Sequence, residues 1–89
     1  MTWTIEFTDI ALRQLEKLDK DVQRRVWKYL NERVAQLENP RRLGEALQGE
    51  RFGEFCRYRV GDYRLITRIE DDYLVVLVLR VDHRREIYR

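Results

Sequence analysis

The apolar positions of this chain change rhythm along its length, and each change marks an element. Residues 3–7, WTIEF, alternate apolar and polar, the period-two pattern of a strand. Thr8 or Asp9 then offers an N-cap, and Ala11, Leu12, Leu15 and Leu18 recur at three- and four-residue spacing, which predicts a helix ending near residues 18–20. Asp19 or Asp21 can cap a second helix, in which Val22, Val26, Leu30, Val34 and Leu37 keep that rhythm until Asn39-Pro40, where proline stops it. Residues 41–53 hold three of the four glycines and read as a loop anchored by Leu43 and Leu47. Three strands follow, over residues 54–60, 63–69 and 73–81, turned by Gly61-Asp62 and by Glu70-Asp71-Asp72. The last, YLVVLVLRV, is apolar on both faces, as expected of a central strand covered by helices. This order predicts a single α+β domain over residues 1–89: an N-terminal strand, an antiparallel helical hairpin and a three-stranded antiparallel meander, with the helices packed on one face of a twisted sheet.

A two-residue turn at Gly61-Asp62 pairs Val60 with Tyr63, Arg59 with Arg64, Tyr58 with Leu65 and Phe55 with Arg68. Because side chains alternate between faces, Arg57, Arg59, Arg64 and Arg68 then share one face, and Cys56, Tyr58, Val60, Tyr63, Leu65 and Thr67 share the other. If the helices cover the second face, the arginine face is open and basic. Like charges directly opposite across a ladder are destabilising, so placing Arg59 against Arg64 calls for an anion to offset the cost. Three sources are available: intramolecular carboxylates such as Glu54, Asp62 and Glu70, an acidic protein partner, or a polyanion.

Composition sharpens this picture in two places. The 89 residues are 44% hydrophobic and 38% charged, which suits one small globular domain with a thin core. The net charge of +2 does not by itself point to nucleic acid, but all nine Lys/Arg positions after residue 49 are arginine, the side chain that grips phosphate bidentately and stays charged. Cys56 is the only cysteine, so no intramolecular disulfide or thiolate metal site forms, and it reads as a small buried hydrophobe. MTWTIEFTD has no basic stretch followed by an apolar segment, and no apolar run is long enough to span a bilayer, so the expected location is the cytoplasm.

The chemistry must come from few residue types. One His and one Cys make no zinc cluster, and neither a nucleophile motif nor a glycine-rich phosphate loop is present. A reaction here would be metal-free, cofactor-free and driven by charge. Cleavage of RNA by its own 2′-hydroxyl meets that demand, since the substrate supplies the nucleophile and the protein orients it, stabilises the phosphorane and moves protons. After the last strand come His83, Arg84, Arg85 and Tyr88, which can exchange protons, grip phosphate or stack on a base, or can equally be structural.

The run LQGERFGEFCRYRVGDYRLITRI and the later VVLVLRVDHRREIYR resemble the toxins of the RelE/ParE superfamily, and within it the RelE branch; the likeness extends to the helical hairpin ending in LENPRR. The resemblance implies a RelE-like fold and a ribosome-dependent endoribonuclease that cuts mRNA in the A site. It implies Arg64 as the transition-state arginine, Arg57 and Arg59 as substrate-contacting residues that support proton transfer, Arg84 toward the leaving group, and Tyr88 stacking on or orienting the nucleotide. His83 transfers less directly, and Arg68 and Arg85 extend the RNA-binding surface. Where some members carry lysine this chain has Arg57 and Arg59, and an arginine is a poor general base, which leaves Tyr88, His83 or the ribosome to take the proton. The resemblance also implies a cognate antitoxin that wraps the helices and covers the basic face, with operator DNA bound only through the complex. Two alternatives stand beside it: a ParE-type inhibitor of DNA gyrase, and a non-catalytic RNA- or protein-binding module.

Overall fold

The computed structural model describes residues 2–47 and 54–83. Strand β1 (Thr4–Phe7) leads into helix α1 (Asp9–Glu16), and Thr8 is the N-cap, its Oγ1 accepting the Ala11 N–H at 3.1 Å. Helix α2 (Lys20–Lys28) follows after a short turn in which Gln23 donates its side-chain N–H to Leu18 O at 2.8 Å. Asp19 occupies the cap position of α2 without a side-chain cap bond.

The second helix does not continue as a regular α-helix. Tyr29–Val34 form a wider π-helical turn, marked by the Ala35 N–H donating to Leu30 O, five residues back, at 2.8 Å. The apolar spacing explains it. Val22, Val26, Leu30 and Val34 recur every four residues, and on an α-helix each such step drifts by about 40° around the axis. Widening the turn cancels the drift, and Val26, Leu30 and Val34 are all fully buried against the sheet. Asn39 then caps a single 3₁₀ turn at Pro40–Arg42.

Five strands form one sheet in the order β1-β5-β4-β3-β2, where β2 is Glu45–Ala46, β3 Phe55–Val60, β4 Tyr63–Glu70 and β5 Val75–His83. β1 runs parallel to β5, and every other pairing is antiparallel. The β3–β4 register is the one the Gly61-Asp62 turn predicts, including Arg59 opposite Arg64 and Phe55 opposite Arg68. Gly61 takes φ +59°, which favours glycine there, and a Cβ would also meet an Arg25 Nη at 2.8 Å.

Three expectations need correction. Residues 41–53 are not loop throughout, because Gly44 lets the chain pass close to the Tyr58 ring, where a Cβ would lie 2.9 Å from Cε1, and Glu45–Ala46 add to the edge of β3. Leu43 does not anchor that segment, since it is 36% exposed. The last strand starts at Val75 rather than residue 73, because Asp71–Tyr73 form a 3₁₀ turn that Leu74 closes in the left-handed region at φ 53°.

The helices pack on the sheet face that holds Cys56, Tyr58, Val60, Leu65, Thr67 and Val78, and this is the core. Cys56 is fully buried, as expected of a small hydrophobe. Buried polar groups on this face are satisfied: Thr67 Oγ1 donates to Cys56 O at 3.0 Å and the Tyr58 hydroxyl to Pro40 O at 2.7 Å. No helix among the described residues is long and apolar enough to cross a membrane.

Candidate RNA-binding and catalytic face

The opposite face of the sheet is built around the arginines. Phe55, Arg57 and Arg59 alternate on β3 with the buried Cys56, Tyr58 and Val60, and Arg64 and Arg68 take the matching positions on β4. Arg59 is exposed, Arg57 half-buried, and Arg64 only 5% exposed. The face is therefore less open than the alternation alone suggests, since its central arginine is sunk into the surface.

Carboxylates from the protein itself supply part of the offset. Arg57 pairs with Glu45, its register partner on β2. Arg68 pairs with Glu70 at 3.0 Å, and Arg80 with Asp82 at 3.2 Å. Asp82 stands opposite Arg64 across the β4–β5 ladder and is itself only 6% exposed. Of these acids the sequence singles out Glu70; Glu45 and Asp82 reach the face through a short strand and a register break that are not evident from simple alternation.

Glu45 is the site residue that sequence reading missed. Hydrogen bonding to Arg57 comes first, followed by the charges of Arg57, Arg59 and Arg64, and together they hold its carboxyl below the usual carboxylate range despite a small opposing effect of burial. Glu45 is thus an ionised acceptor beside a row of arginine donors. The signal was Gly44-Glu45, a glycine placed where a backbone must pass close to an aromatic ring and an acid placed to meet Arg57.

The register break lies in β5. Ile66 faces Arg80 but Thr67 faces Val78, so Leu79 is an extra residue, a β-bulge. Before the bulge Val76 and Val78 point into the core, and after it Val81 does, which turns Arg80 and Asp82 to the arginine face. The same parity carries His83 to the helix side, where it meets Tyr63 edge-on with ring centroids 5.1 Å apart. The structure thus brings Arg57, Arg59, Arg64 and Arg68 together but does not bring His83 to them. Arg84, Arg85 and Tyr88 lie outside the described residues.

Beyond Arg68, a cleft of about 430 Å³ is lined by Arg41, Glu54, Glu70, Asp71 and the exposed Tyr73. Arg41 and Asp71, both in its lining, make two hydrogen bonds of 3.0 and 2.7 Å, and Asp71 is held below the usual carboxylate range mainly by that contact. The mixed charge of this cleft distinguishes it from the arginine face. No group of three or more His, Cys, Asp or Glu among the described residues is placed to hold a metal ion.

A helical hairpin laid on one face of a mixed five-stranded sheet is the fold this chain shares with solved RelE toxins. The chain belongs to the ParE toxin family of type II toxin–antitoxin systems, whose family model (ParE toxin of type II toxin-antitoxin system, parDE) matches residues 5–88, and within the RelE/ParE superfamily it falls in the RelE branch. It is 39% identical over 89 residues to Toxin RelG of Mycobacterium tuberculosis, an alignment covering 100% of this chain and 99% of that one. Its fold matches the toxin in the crystal structure of the RelBE2 toxin–antitoxin complex of the same organism with a TM-score of 0.81 and 34% identity, over 94% of this chain and 93% of that one. A mutant of Escherichia coli toxin RelE in the free state matches with a TM-score of 0.76 and 28% identity, over 99% and 92% of the two chains.

Proposed function

We propose that this toxin is an endoribonuclease that enters the ribosomal A site and cuts mRNA there by attack of the substrate's 2′-hydroxyl on the adjacent phosphate, leaving a 2′,3′-cyclic phosphate and a 5′-hydroxyl. The observation that carries the reading is Arg59 placed directly opposite Arg64, with Arg57 and Arg68 on the same face. Such a ladder costs stability without an anion, and a phosphorane carries more negative charge than the phosphate it forms from. Arg64, the most enclosed of the set, meets that extra charge, Arg59 and Arg57 hold the flanking phosphates, Arg68 extends the contact along the strand, and Arg85 is a further RNA-binding residue.

The proton of the 2′-hydroxyl needs an acceptor that arginine cannot provide. Glu45 on this face, ionised beside Arg57 but weakened as a base by that contact, is one acceptor, and Tyr88 or the ribosome is the other. Arg84 acts toward the leaving group, and Tyr88 orients the nucleotide or delivers the proton to the departing oxygen. His83 packs against Tyr63 on the other face, so its contribution is to the strand end that carries these residues.

A cognate antitoxin is the second partner. RelE toxins of similar fold have been crystallised with their antitoxins, and this chain exposes apolar side chains for a folding-on-binding segment to cover, among them Ile10 at 62% and Trp27 at 55%. Operator DNA is reached through that complex.

The test is primer extension on an mRNA in a purified translation system, with and without ribosomes, against Arg64→Ala. Cuts within A-site codons that need ribosomes and fall by about 10²–10³-fold in the variant, with ribosome binding retained, support the reading. The ParE-type alternative carries one other outcome, gyrase inhibition, and the matching family model bears the ParE name. Folded protein that leaves mRNA intact but blocks DNA supercoiling would replace the nuclease with that activity, and folded protein that does neither would be a binding module.

A further inference from the structure

β5 outruns its parallel neighbour. The β1–β5 ladder ends with Phe7 opposite Val78, yet β5 continues to His83, so the backbone groups on that edge need other partners. Helix α1 provides them. The Thr8 backbone N–H donates to Val78 O at 3.0 Å, the Thr8 hydroxyl to Leu79 O at 3.0 Å, and Gln14 Oε1 accepts the Val81 N–H at 2.7 Å. These contacts bracket the bulge at Leu79.

The bulge decides which side chains form the site. Continued alternation from Val76 and Val78 would send Arg80 and Asp82 into the core and Val81 out of it; the extra residue reverses this and sets Asp82 opposite Arg64. Gln14 is half-buried and lies on the helix side of the sheet, away from the arginines. It can affect them only through β5.

We infer that Gln14 is a positioning residue for the arginine site: by accepting the Val81 N–H it holds the β5 bulge in place, and the bulge holds Asp82 against Arg64. The catalytic consequence rests on the ribonuclease reading above, whereas the structural consequence does not. Replacing Gln14 with leucine removes the acceptor at a partly buried strand edge, and the edge then opens to water or shifts its register.

The experiment compares the parent protein with Gln14→Leu, with Gln14→Asn, whose amide is one methylene too short to reach, and with Gln14→Glu, which keeps an acceptor oxygen. Amide hydrogen exchange at Val81, the cross-strand NOE between Arg64 and Asp82, and ribosome-dependent mRNA cleavage are measured on each. In the leucine and asparagine variants Val81 exchanges about 10-fold faster or more and the NOE weakens, while cleavage falls about 10-fold or more with KM within about 2-fold; Gln14→Glu restores all three. Unchanged exchange and NOE in the asparagine variant overturn the inference, as does accelerated exchange with full cleavage. Should the parent cut no RNA, the nuclease reading falls, and exchange with the NOE still decides whether Gln14 holds the bulge.

Discussion

Arg64 and Asp82 face each other across β4 and β5, and they are the two charged residues classed as buried among those described, at 5% and 6% exposure. A buried guanidinium without a nearby carboxylate carries a large desolvation cost. Asp82→Asn should therefore lower the free energy of unfolding by about 1–3 kcal/mol. Arg80, the more exposed partner of Asp82 at 3.2 Å, should cost less than about 1 kcal/mol when replaced by alanine. Urea unfolding of both variants measures the difference, and equal losses would mean that Asp82 serves Arg80 rather than Arg64.

The proton acceptor can be identified by pH dependence. A base must be deprotonated to act, and Glu45 is held below the usual carboxylate range by Arg57. Cleavage should then be flat across neutral pH, declining only in acid below the ordinary range of a glutamate. Glu45→Gln should lose about 10²–10⁴-fold in rate. His83→Gln should keep the profile of the parent; an acid limb near neutrality that disappears in this variant would return the role to histidine.

Tyr58 links stability to alkaline pH. Burial, foremost, pushes its phenol well above its ordinary value, and its hydroxyl donates to Pro40 O at 2.7 Å. The folded pKa is raised above the unfolded one, so stability is intact below about pH 10 and is lost above it at up to about 1.4 kcal/mol per pH unit. Tyr58→Phe should cost about 1 kcal/mol at neutral pH through the missing hydrogen bond. That deficit should shrink in base, which chemical denaturation at several pH values would show.

Gly44→Ala tests the route by which Glu45 arrives. Its Cβ would lie 2.9 Å from the Tyr58 ring and 3.2 Å from Arg57 O, neither of which is a flexible side-chain end. A loss of about 1–3 kcal/mol is expected from the forced shift. Displacement of β2 should lower cleavage as well, whereas a variant as stable and as active as the parent would show that the segment adjusts freely.

Most of the fold was legible because its signals are local. The Gly61-Asp62 turn sets the β3–β4 register residue by residue, and the spacing of Val26, Leu30 and Val34 marks the buried helix face. The arginine row followed from that register alone. What alternation could not supply was anything set by packing at a distance: the parallel pairing of β1 with β5, the two-residue strand β2 behind Gly44, and the bulge at Leu79. The bulge left a trace nonetheless. Arg80 and Asp82 share the parity of Val76 and Val78, and two charges at core parity require the strand to break step. The expectation of His83 at the site rests on its place after the last strand and on the family resemblance, neither of which registers the bulge.

The parallel pairing of β1 with β5 also bears on when the protein becomes dangerous to its maker. β1 is made before β5, its sheet neighbour, so this contact cannot form on a growing chain that still lacks the later strand. β5 is also the strand that brings Asp82 to Arg64. On a ribosome translating this toxin the sheet thus stays unassembled until β5 has emerged, and the arginine face with Asp82 in place exists only from that point.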